Sequence, residues 1–198
     1  MITFNNLSKE TPYKIFKQRY DQSLKACQEN IEAIGISSYS NEFKEVNARF
    51  VNLKFVNNKE FIFYTNYNSV KAQDFSSHNQ ITALIYWHKI DLQIRMKANI
   101  KKTSKDFNNK YFSERDSNKN ALAISSDQSK PISSYEDIEK NYFKSLQSDN
   151  LNQCPDYWGG FAFTPYYFEF WEGHESRLNK RLVYEIKNNE WIDYILQP

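Results

Sequence analysis

Apolar residues recur with a helical period near the start of the chain and with a period of two through much of the rest. In segment 12–30 they lie three or four positions apart, which predicts an amphipathic helix that begins at Pro12. Further along, apolar and polar side chains alternate, which predicts strands at 31–38, 46–56, 60–65, 81–87, 92–101, 161–171, 182–187 and 191–196.

Short polar segments separate these strands. Asn57-Asn58 and Asn188-Asn189 are typical of tight hairpin turns, and segments 69–78 and 104–150 favour helices. Strands joined by hairpins, with helices between groups of strands, predict a mainly β fold of the α+β class, an antiparallel sheet or barrel with flanking helices. Because no repeat or linker divides the chain, we expect a single domain over residues 1–198.

Composition removes several classes of function. Lys and Arg total 26 against 24 Asp and Glu, and this near balance argues against a general nucleic-acid-binding surface. The four glycines form no dinucleotide-binding or P-loop motif, and the histidines and cysteines lack zinc-ligand spacing, so no metal is expected. The start of the chain does not resemble a signal peptide, and no apolar run is long enough to span a bilayer. We therefore expect a cytoplasmic protein with no membrane partner.

Two segments in the first half of the chain could meet an anion. Arg49 and Lys54 lie on opposite faces of a predicted strand, where solvated surface charges are the plainer interpretation. Residues 63–71 run from a strand into a helix start, and a helix N-terminus beside Lys71 favours an anion such as phosphate. An ordinary capping turn explains the second segment equally well.

Two later segments could likewise bind an anion or have only a structural role. Tyr111 and Arg115 share one helix face and could hold a phosphate, although a surface stack of the two is the plainer interpretation. Arg177 and Arg181 lie close to Trp171 and could bind a planar anion. Ion pairs with the glutamates at 169 and 172 are the alternative for these two arginines.

Taken in order, these segments resemble the pyridoxine/pyridoxamine 5′-phosphate oxidase family, from about residue 31 to residue 198. The family's strand motif of Arg, four mostly apolar residues and Lys is matched by residues 49–54, and its terminal signature by residues 169–173 and 177–181. Other family positions are matched in between by Tyr64-Thr65-Asn66, Ser69-Val70-Lys71-Ala72, Trp87, Gln93, Tyr111, Arg115 and Gln128-Ser129.

The resemblance implies an FMN-binding split β-barrel and a homodimer with flavin at the subunit interface. The apolar period makes residues 1–30 an N-terminal helical segment, and the resemblance implies C-terminal strands over residues 161–198 with the dimerisation and substrate signature. By position, FMN would be contacted by Arg49, Phe50, Val51, Asn52, Leu53, Lys54, Tyr64, Thr65, Lys71, Gln93, Gln128, Ser129, Trp171 and Arg181, with Val70 at one further cofactor position. The substrate would be contacted by Lys54, Tyr111, Arg115, Lys119, Arg177 and Asn179. Arg177 and Asn179 would be the catalytic pair.

The chain departs from the family pattern at several of these positions. Val70 and Leu92 stand where the family has arginines, and a lost charged hydrogen bond to the flavin phosphate would cost about 1.5–3 kcal/mol. Lys119 replaces a serine and returns a positive charge to the substrate phosphate. Asn179 replaces a histidine and cannot titrate near neutral pH.

The implied function is oxidation of pyridoxamine or pyridoxine 5′-phosphate to pyridoxal 5′-phosphate. FMN would take the hydride, and O2 would be the final acceptor and give H2O2. The departures leave two alternatives open. One is a split-barrel oxidoreductase that uses FMN on another substrate, and the other is a non-catalytic protein that binds flavin or vitamer.

Overall fold

Alternation of apolar and polar residues builds the strands of a barrel that helices flank. The computed structural model describes residues 1–148 and 150–198. The strands are β1 (Thr3–Asn5), β2 (Ala33–Ser40), β3 (Glu45–Asn57), β4 (Glu60–Asn66), β5 (Gln80–Trp87), β6 (Leu92–Lys102), β7 (Trp158–Glu172), β8 (Lys180–Lys187) and β9 (Glu190–Leu196). The helices are α1 (Thr11–Lys25), α2 (Val70–Ser77), α3 (Lys105–Glu114), α4 (Ser117–Ser125) and α5 (Tyr135–Ser148).

Six strands close into an antiparallel barrel in the order β3-β2-β5-β6-β7-β4, and β4 pairs back onto β3. The long strand β7 makes closure possible. Its first part pairs with β4, while its last part pairs with β8 and leads the sheet on to β9. The expected mainly β fold with flanking helices is therefore confirmed.

Asparagines in left-handed conformation form two of the hairpin turns, as the sequence predicts. Asn58 between β3 and β4 has φ 52°, and Asn188 and Asn189 between β8 and β9 have φ 51° and 65°. Two successive residues with positive φ match the turn whose twist suits a two-residue hairpin. Asparagine adopts this conformation more readily than most residues, so the turns fix the pairing register.

Helix α1 fills one end of the barrel with aromatic side chains. Tyr13 and Phe16 are fully buried, and the Phe16 ring meets Phe61 of β4 edge to face at 5.0 Å. The predicted helix over 12–30 is wrong at its end, because α1 stops at Lys25. Cys27 then takes a left-handed φ of 55°, and a backbone with that φ cannot continue a right-handed helix.

The N-terminal segment also contains a strand that the pattern did not predict. Residues 3–5 form β1, which pairs in parallel with the end of β3. Three residues are too few to show a period of two, so only the tertiary pairing reveals this strand.

The polar segment after β6 folds into α3, α4 and α5, in agreement with its predicted helical character. Ser104 caps α3 by accepting a hydrogen bond from the backbone of Phe107, and Asp116 caps α4 in the same way from Lys119. Across residues 1–148 and 150–198, no helix has both the length and the apolar character needed to cross a bilayer.

Candidate functional site

A cavity of about 500 Å³ brings together most of the candidate residues from the first two thirds of the chain. It lies where β3 and β4 meet α3 and the start of α4. The predicted site residues that line it are Phe50, Val51, Asn52, Lys54, Tyr64, Thr65, Lys71, Tyr111, Arg115, Lys119 and Gln128.

Lys71 is a buried cation at one end of this cavity. Only 9% of the residue is exposed, and its ammonium donates to Thr65 Oγ1 at 3.1 Å and to Ser69 Oγ at 3.2 Å. Burial, helped by the positive charge of Arg49, lowers the pKa of Lys71 to about 8. Hydroxyl groups do not neutralise a buried ammonium, so this end of the cavity favours an anion.

Arg49 lies near enough to Lys71 to influence its pKa, although it is not among the residues that line the cavity. Its guanidinium donates to Ser38 Oγ at 2.7 Å and lies 3.8 Å from the carboxylate of Asp74 on α2. Ser38 in turn donates to Asp74 at 2.7 Å, and both of these residues are buried. The contacts with Ser38 and Asp74 therefore fix the position of the guanidinium near Lys71.

Three other predicted flavin positions lie outside the cavity lining. Val70 opens α2 and is 41% exposed, whereas Leu53 is fully buried in the barrel core. Ser129 is exposed and has a positive φ of 73°. Its neighbour Gln128 does reach the site, where its Oε1 accepts from Thr65 Oγ1 at 3.0 Å.

A stack of aromatic rings forms one wall of the cavity. The Tyr64 ring stacks against Tyr111, at 4.0 Å and 13°, and lies nearly parallel to the neighbouring Trp158 ring, at 5.0 Å and 9°. The Arg115 guanidinium lies 5.1 Å from the centre of the Trp158 ring. The Tyr64 hydroxyl is buried and has no hydrogen-bond partner among the described residues, and burial raises its pKa. The wall offers a flat surface to a planar ring.

Lys54, Arg115 and Lys119 form a second group of cations in the cavity lining. Burial lowers the pKa of Lys54, and the positive charges of Lys119 and Arg115 lower it further against the attraction of Glu32. Arg115 donates to the backbone oxygen of Lys119 at 3.0 Å, which fixes its guanidinium at the start of α4. These three side chains could hold a second anionic group.

The remaining flavin candidates lie on a different part of the sheet. Gln93 of β6, Trp171 of β7 and Arg181 of β8 are directly opposite one another in the strand register. Three strand spacings separate β6 from β3, which is about 14 Å along the sheet. Arg181 forms an ion pair of 2.7 Å with Glu169, so the alternative of an ion pair is correct for this arginine.

Arg177 and Asn179 lie in the loop between β7 and β8. Arg177 is exposed and has a φ of 58°, and its backbone N–H donates to the oxygen of His174 at 2.8 Å. Asn179 Oδ1 accepts from the backbone N–H of His174 at 3.1 Å. In this structure the Asn179 side chain closes the loop that carries Arg177, a role that the sequence pattern did not predict.

Trp158 and Asp74 are site residues to which the sequence pattern assigned no binding role. A glycine pair follows Trp158, and a Cβ atom on Gly159 would collide with the Tyr67 hydroxyl and the Asn108 amide. The pair therefore allows the close approach that brings Trp158 to Tyr64. Asp74 gave no signal, because an acidic residue on a short helix is usually solvated.

Comparisons with known proteins agree on one family. The model for the pyridoxine 5′-phosphate oxidase C-terminal dimerisation region matches residues 158–198. Pyridoxine/pyridoxamine 5′-phosphate oxidase 1 of Hydrogenovibrio crunogenus is 32% identical over 175 residues, covering 88% of this chain and 81% of that protein. The pyridoxine/pyridoxamine 5′-phosphate oxidase of Cytophaga hutchinsonii is 33% identical over 183 residues, covering 90% and 84%.

Solved structures show the same fold at lower identity. PhzG from Burkholderia lata 383, solved in complex with tetrahydrophenazine-1-carboxylic acid, superposes with a TM-score of 0.89 at 22% identity and covers 94% of this chain and 92% of its own. A pyridoxamine 5′-phosphate oxidase-related, FMN-binding protein from Nostoc punctiforme gives 0.79 at 11% identity, with 96% and 100% covered. At these identities the likeness establishes the architecture.

Proposed function

Because the chain belongs to the pyridoxine/pyridoxamine 5′-phosphate oxidase family, we propose that it is an FMN-dependent oxidase of pyridoxamine or pyridoxine 5′-phosphate. The product would be pyridoxal 5′-phosphate, with O2 reduced to H2O2. One observation carries the proposal beyond the family name. A single cavity has the buried Lys71 at one end, a group of three further cations in its lining and a flat aromatic wall, as a flavin phosphate and a phosphorylated ring would need.

The residues at the Lys71 end fit the phosphate of FMN. Lys71 and Arg49 supply positive charge, Thr65 supplies a hydroxyl, and Lys71 lies in the first turn of α2, where a helix N-terminus favours an anion. Arg49 pairs with Asp74, whereas Lys71 donates to two hydroxyl groups, so the two cations together keep positive charge that a bound anion would neutralise. FMN, when bound, would accept a hydride and return the electrons to O2.

The second cation group fits the substrate phosphate. Lys54, Arg115 and Lys119 would hold this phosphate, and Tyr111 beside Tyr64 would border the pyridine ring. Binding energy from the phosphate, which does not react, would orient the carbon that loses the hydride. Lys119 adds a cation where the family pattern has a neutral serine, so the phosphate subsite gains positive charge.

A homodimer would complete the site. Phe50 and Leu84 lie on either side of Gly35 on the outer sheet face, and they are 78% and 40% exposed. An apolar patch of this kind is typical of a surface that another chain covers. A second copy on this face could bring its Gln93–Trp171–Arg181 row, and the loop with Arg177, toward the cavity that one chain leaves open.

An anaerobic titration of the FMN-loaded protein with each vitamer phosphate tests the proposal. We expect the flavin absorption band to bleach and pyridoxal 5′-phosphate to form in equal amount. Arg177→Ala and Tyr111→Ala should lower turnover or substrate affinity while FMN stays bound, whereas Lys130→Ala, an exposed lysine outside the cavity lining, should change neither. Full activity in both of the first two variants would contradict the substrate assignment.

A second candidate is an FMN-dependent oxidoreductase of another substrate on the same scaffold. It is favoured by Asn179, whose side chain closes the Arg177 loop where the family has a titratable histidine. In that case the flavin would stay oxidised with both vitamer phosphates and would be reduced by a different compound. Binding of a vitamer without any flavin reduction would favour a non-catalytic role.

A further inference from the structure

Glu169 is a buried carboxylate that binds arginines from both neighbouring strands. It lies on β7, is 2% exposed, and pairs with Arg95 of β6 and Arg181 of β8. Oε2 accepts from the Arg95 guanidinium and from the Tyr167 hydroxyl, and Oε1 accepts from Arg181 Nε at 2.8 Å. Although burial acts to raise it, these hydrogen bonds hold the pKa of Glu169 below its ordinary value, so the group is an anion.

The contacts of Arg181 fix the orientation of its guanidinium. Nε and Nη2 face Glu169, and Nη1 donates to the backbone oxygen of Gln197 at 3.0 Å. A guanidinium has five N–H groups, so contacts with the described residues leave one on Nη1 and one on Nη2. The side chain is 27% exposed, so part of it reaches the surface.

The cluster has more positive charge than its own stability requires. Two arginines share one carboxylate, which leaves one unit of positive charge on the sheet face beside Gln93 and Trp171. Apolar residues of similar volume often replace a buried ion pair without loss of stability. Stability alone therefore does not explain a buried carboxylate that holds two guanidinium groups in fixed positions. A ligand that contacts those guanidinium groups explains it better.

We propose that Glu169 is a positioning residue for flavin binding. By binding Arg95 and Arg181 at the same time, it holds the Arg181 guanidinium with its two remaining N–H groups directed at FMN. The inference rests on the proposed function, since Arg181 is a flavin contact only by family resemblance. It assigns a role to Glu169 and Arg95, neither of which touches the cofactor in this scheme.

A double-mutant cycle on FMN affinity tests this role. The dissociation constant is measured by quenching of FMN fluorescence with the purified apoprotein. We expect Glu169→Gln to weaken binding about tenfold, as loss of an oriented charged hydrogen bond implies. In an Arg181→Gln background the same change should weaken it by less than about twofold. Glu172 lies on the same strand as Glu169 and pairs with Arg19 of α1. The control Glu172→Gln breaks that pair and should leave the FMN affinity unchanged.

Two further measurements separate positioning from general stability. The visible circular dichroism of bound FMN should change in Glu169→Gln and should match that of Arg181→Gln. Glu169→Asp keeps the charge and should recover part of the FMN affinity. If Glu169→Gln does not fold, the FMN affinity of Glu169→Asp serves as the test.

The outcomes distinguish this inference from the proposed function. Equal effects of Glu169→Gln in both backgrounds, or unchanged affinity in Glu169→Asp and Glu169→Gln, would overturn the positioning role and leave the oxidase proposal intact. A wild-type protein that binds no FMN would overturn both. A wild-type protein that binds FMN but oxidises neither vitamer phosphate would overturn only the substrate assignment.

Discussion

Val70 is the residue at which the anion-binding end of the cavity has one cation fewer than the family pattern. It is the first residue of α2 and is 41% exposed, so a longer side chain can be accommodated there. We expect Val70→Arg to tighten FMN binding by about tenfold, because it adds a charged hydrogen bond to the phosphate. Val70→Gln also lengthens the side chain but adds no charge, and it should leave the dissociation constant unchanged. No effect of the arginine, measured by fluorescence quenching, would place the phosphate elsewhere.

We expect Lys71 to make FMN affinity dependent on pH. Its pKa of about 8 is lowered from 10.5 by burial first and by Arg49 second. The ammonium form attracts phosphate, and the phosphate stays doubly charged above pH 7. We therefore expect the dissociation constant to rise about tenfold between pH 7 and pH 9 as Lys71 of the free protein loses its proton. Lys71→Arg keeps its charge and should show little of this rise, and a rise of the same size in this variant would exclude Lys71 as the cause.

The lowered pKa of Lys71 has the opposite effect on folding, because a rise in pH favours the folded apoprotein. Between pH 8 and 10.5 the unfolded chain binds the Lys71 proton and the folded apoprotein does not. The contribution of this group to the free energy of unfolding therefore rises with pH over that window. Urea unfolding of the apoprotein and of Lys71→Met at pH 7.5 and 9.5 measures it. A difference between the two proteins that does not change with pH would contradict the lowered pKa.

Among the elements, the β8–β9 hairpin depends on its two-residue turn. Asn188 and Asn189 both have positive φ, and β9 carries Trp191, which packs near Tyr13 of α1. We expect Asn189→Val to lower the free energy of unfolding by about 1–2 kcal/mol, because a branched side chain disfavours this conformation. Asn189→Gly should be neutral or stabilising. Urea denaturation compares the two, and equal effects would show that the turn conformation is not limiting.

The contact between β7 and α3 depends on Gly159. A methyl group there would collide with Tyr67 and Asn108, whose side chains hydrogen-bond to each other at 3.0 Å. We expect Gly159→Ala to lower the free energy of unfolding by about 1–3 kcal/mol, the usual cost of overpacking. Since α3 carries Tyr111, the KM for a vitamer phosphate should also rise. An unchanged urea midpoint and KM would mean that α3 shifts without loss.

For the whole molecule, we expect assembly through the outer sheet face to decide whether the site is complete. Phe50 is 78% exposed on this face, and we expect Phe50→Glu to give a monomer with weak FMN binding, because a charge would be buried on association. Phe143 on α5 is 58% exposed and offers a matched control, so Phe143→Glu should stay dimeric. Sedimentation equilibrium measures the mass of each, and a dimeric Phe50→Glu protein would place the interface on another surface.

Local order along the chain was enough to predict most strands and the asparagine turns, and the family resemblance supplied most of the residues that line the cavity. The alternation of residues 49–54 places Phe50, Asn52 and Lys54 on one side of β3, and the four-residue spacing of Tyr111 and Arg115 directs both toward the cavity. These features follow from the periods of two and 3.6, which any sequence displays directly. The family resemblance added the cofactor and substrate, which no local pattern specifies.

Other features depended on contacts between distant parts of the chain, and only the tertiary structure decided them. The strand β1 exists because β3 offers it an edge, and Asp74 belongs to the site because α2 packs beside Ser38. Glu169 and Arg95 are far apart in sequence, yet strand register places them side by side. Periodicity gives the face of a side chain but not its partner across the sheet, since partner choice is set by closure of the whole barrel.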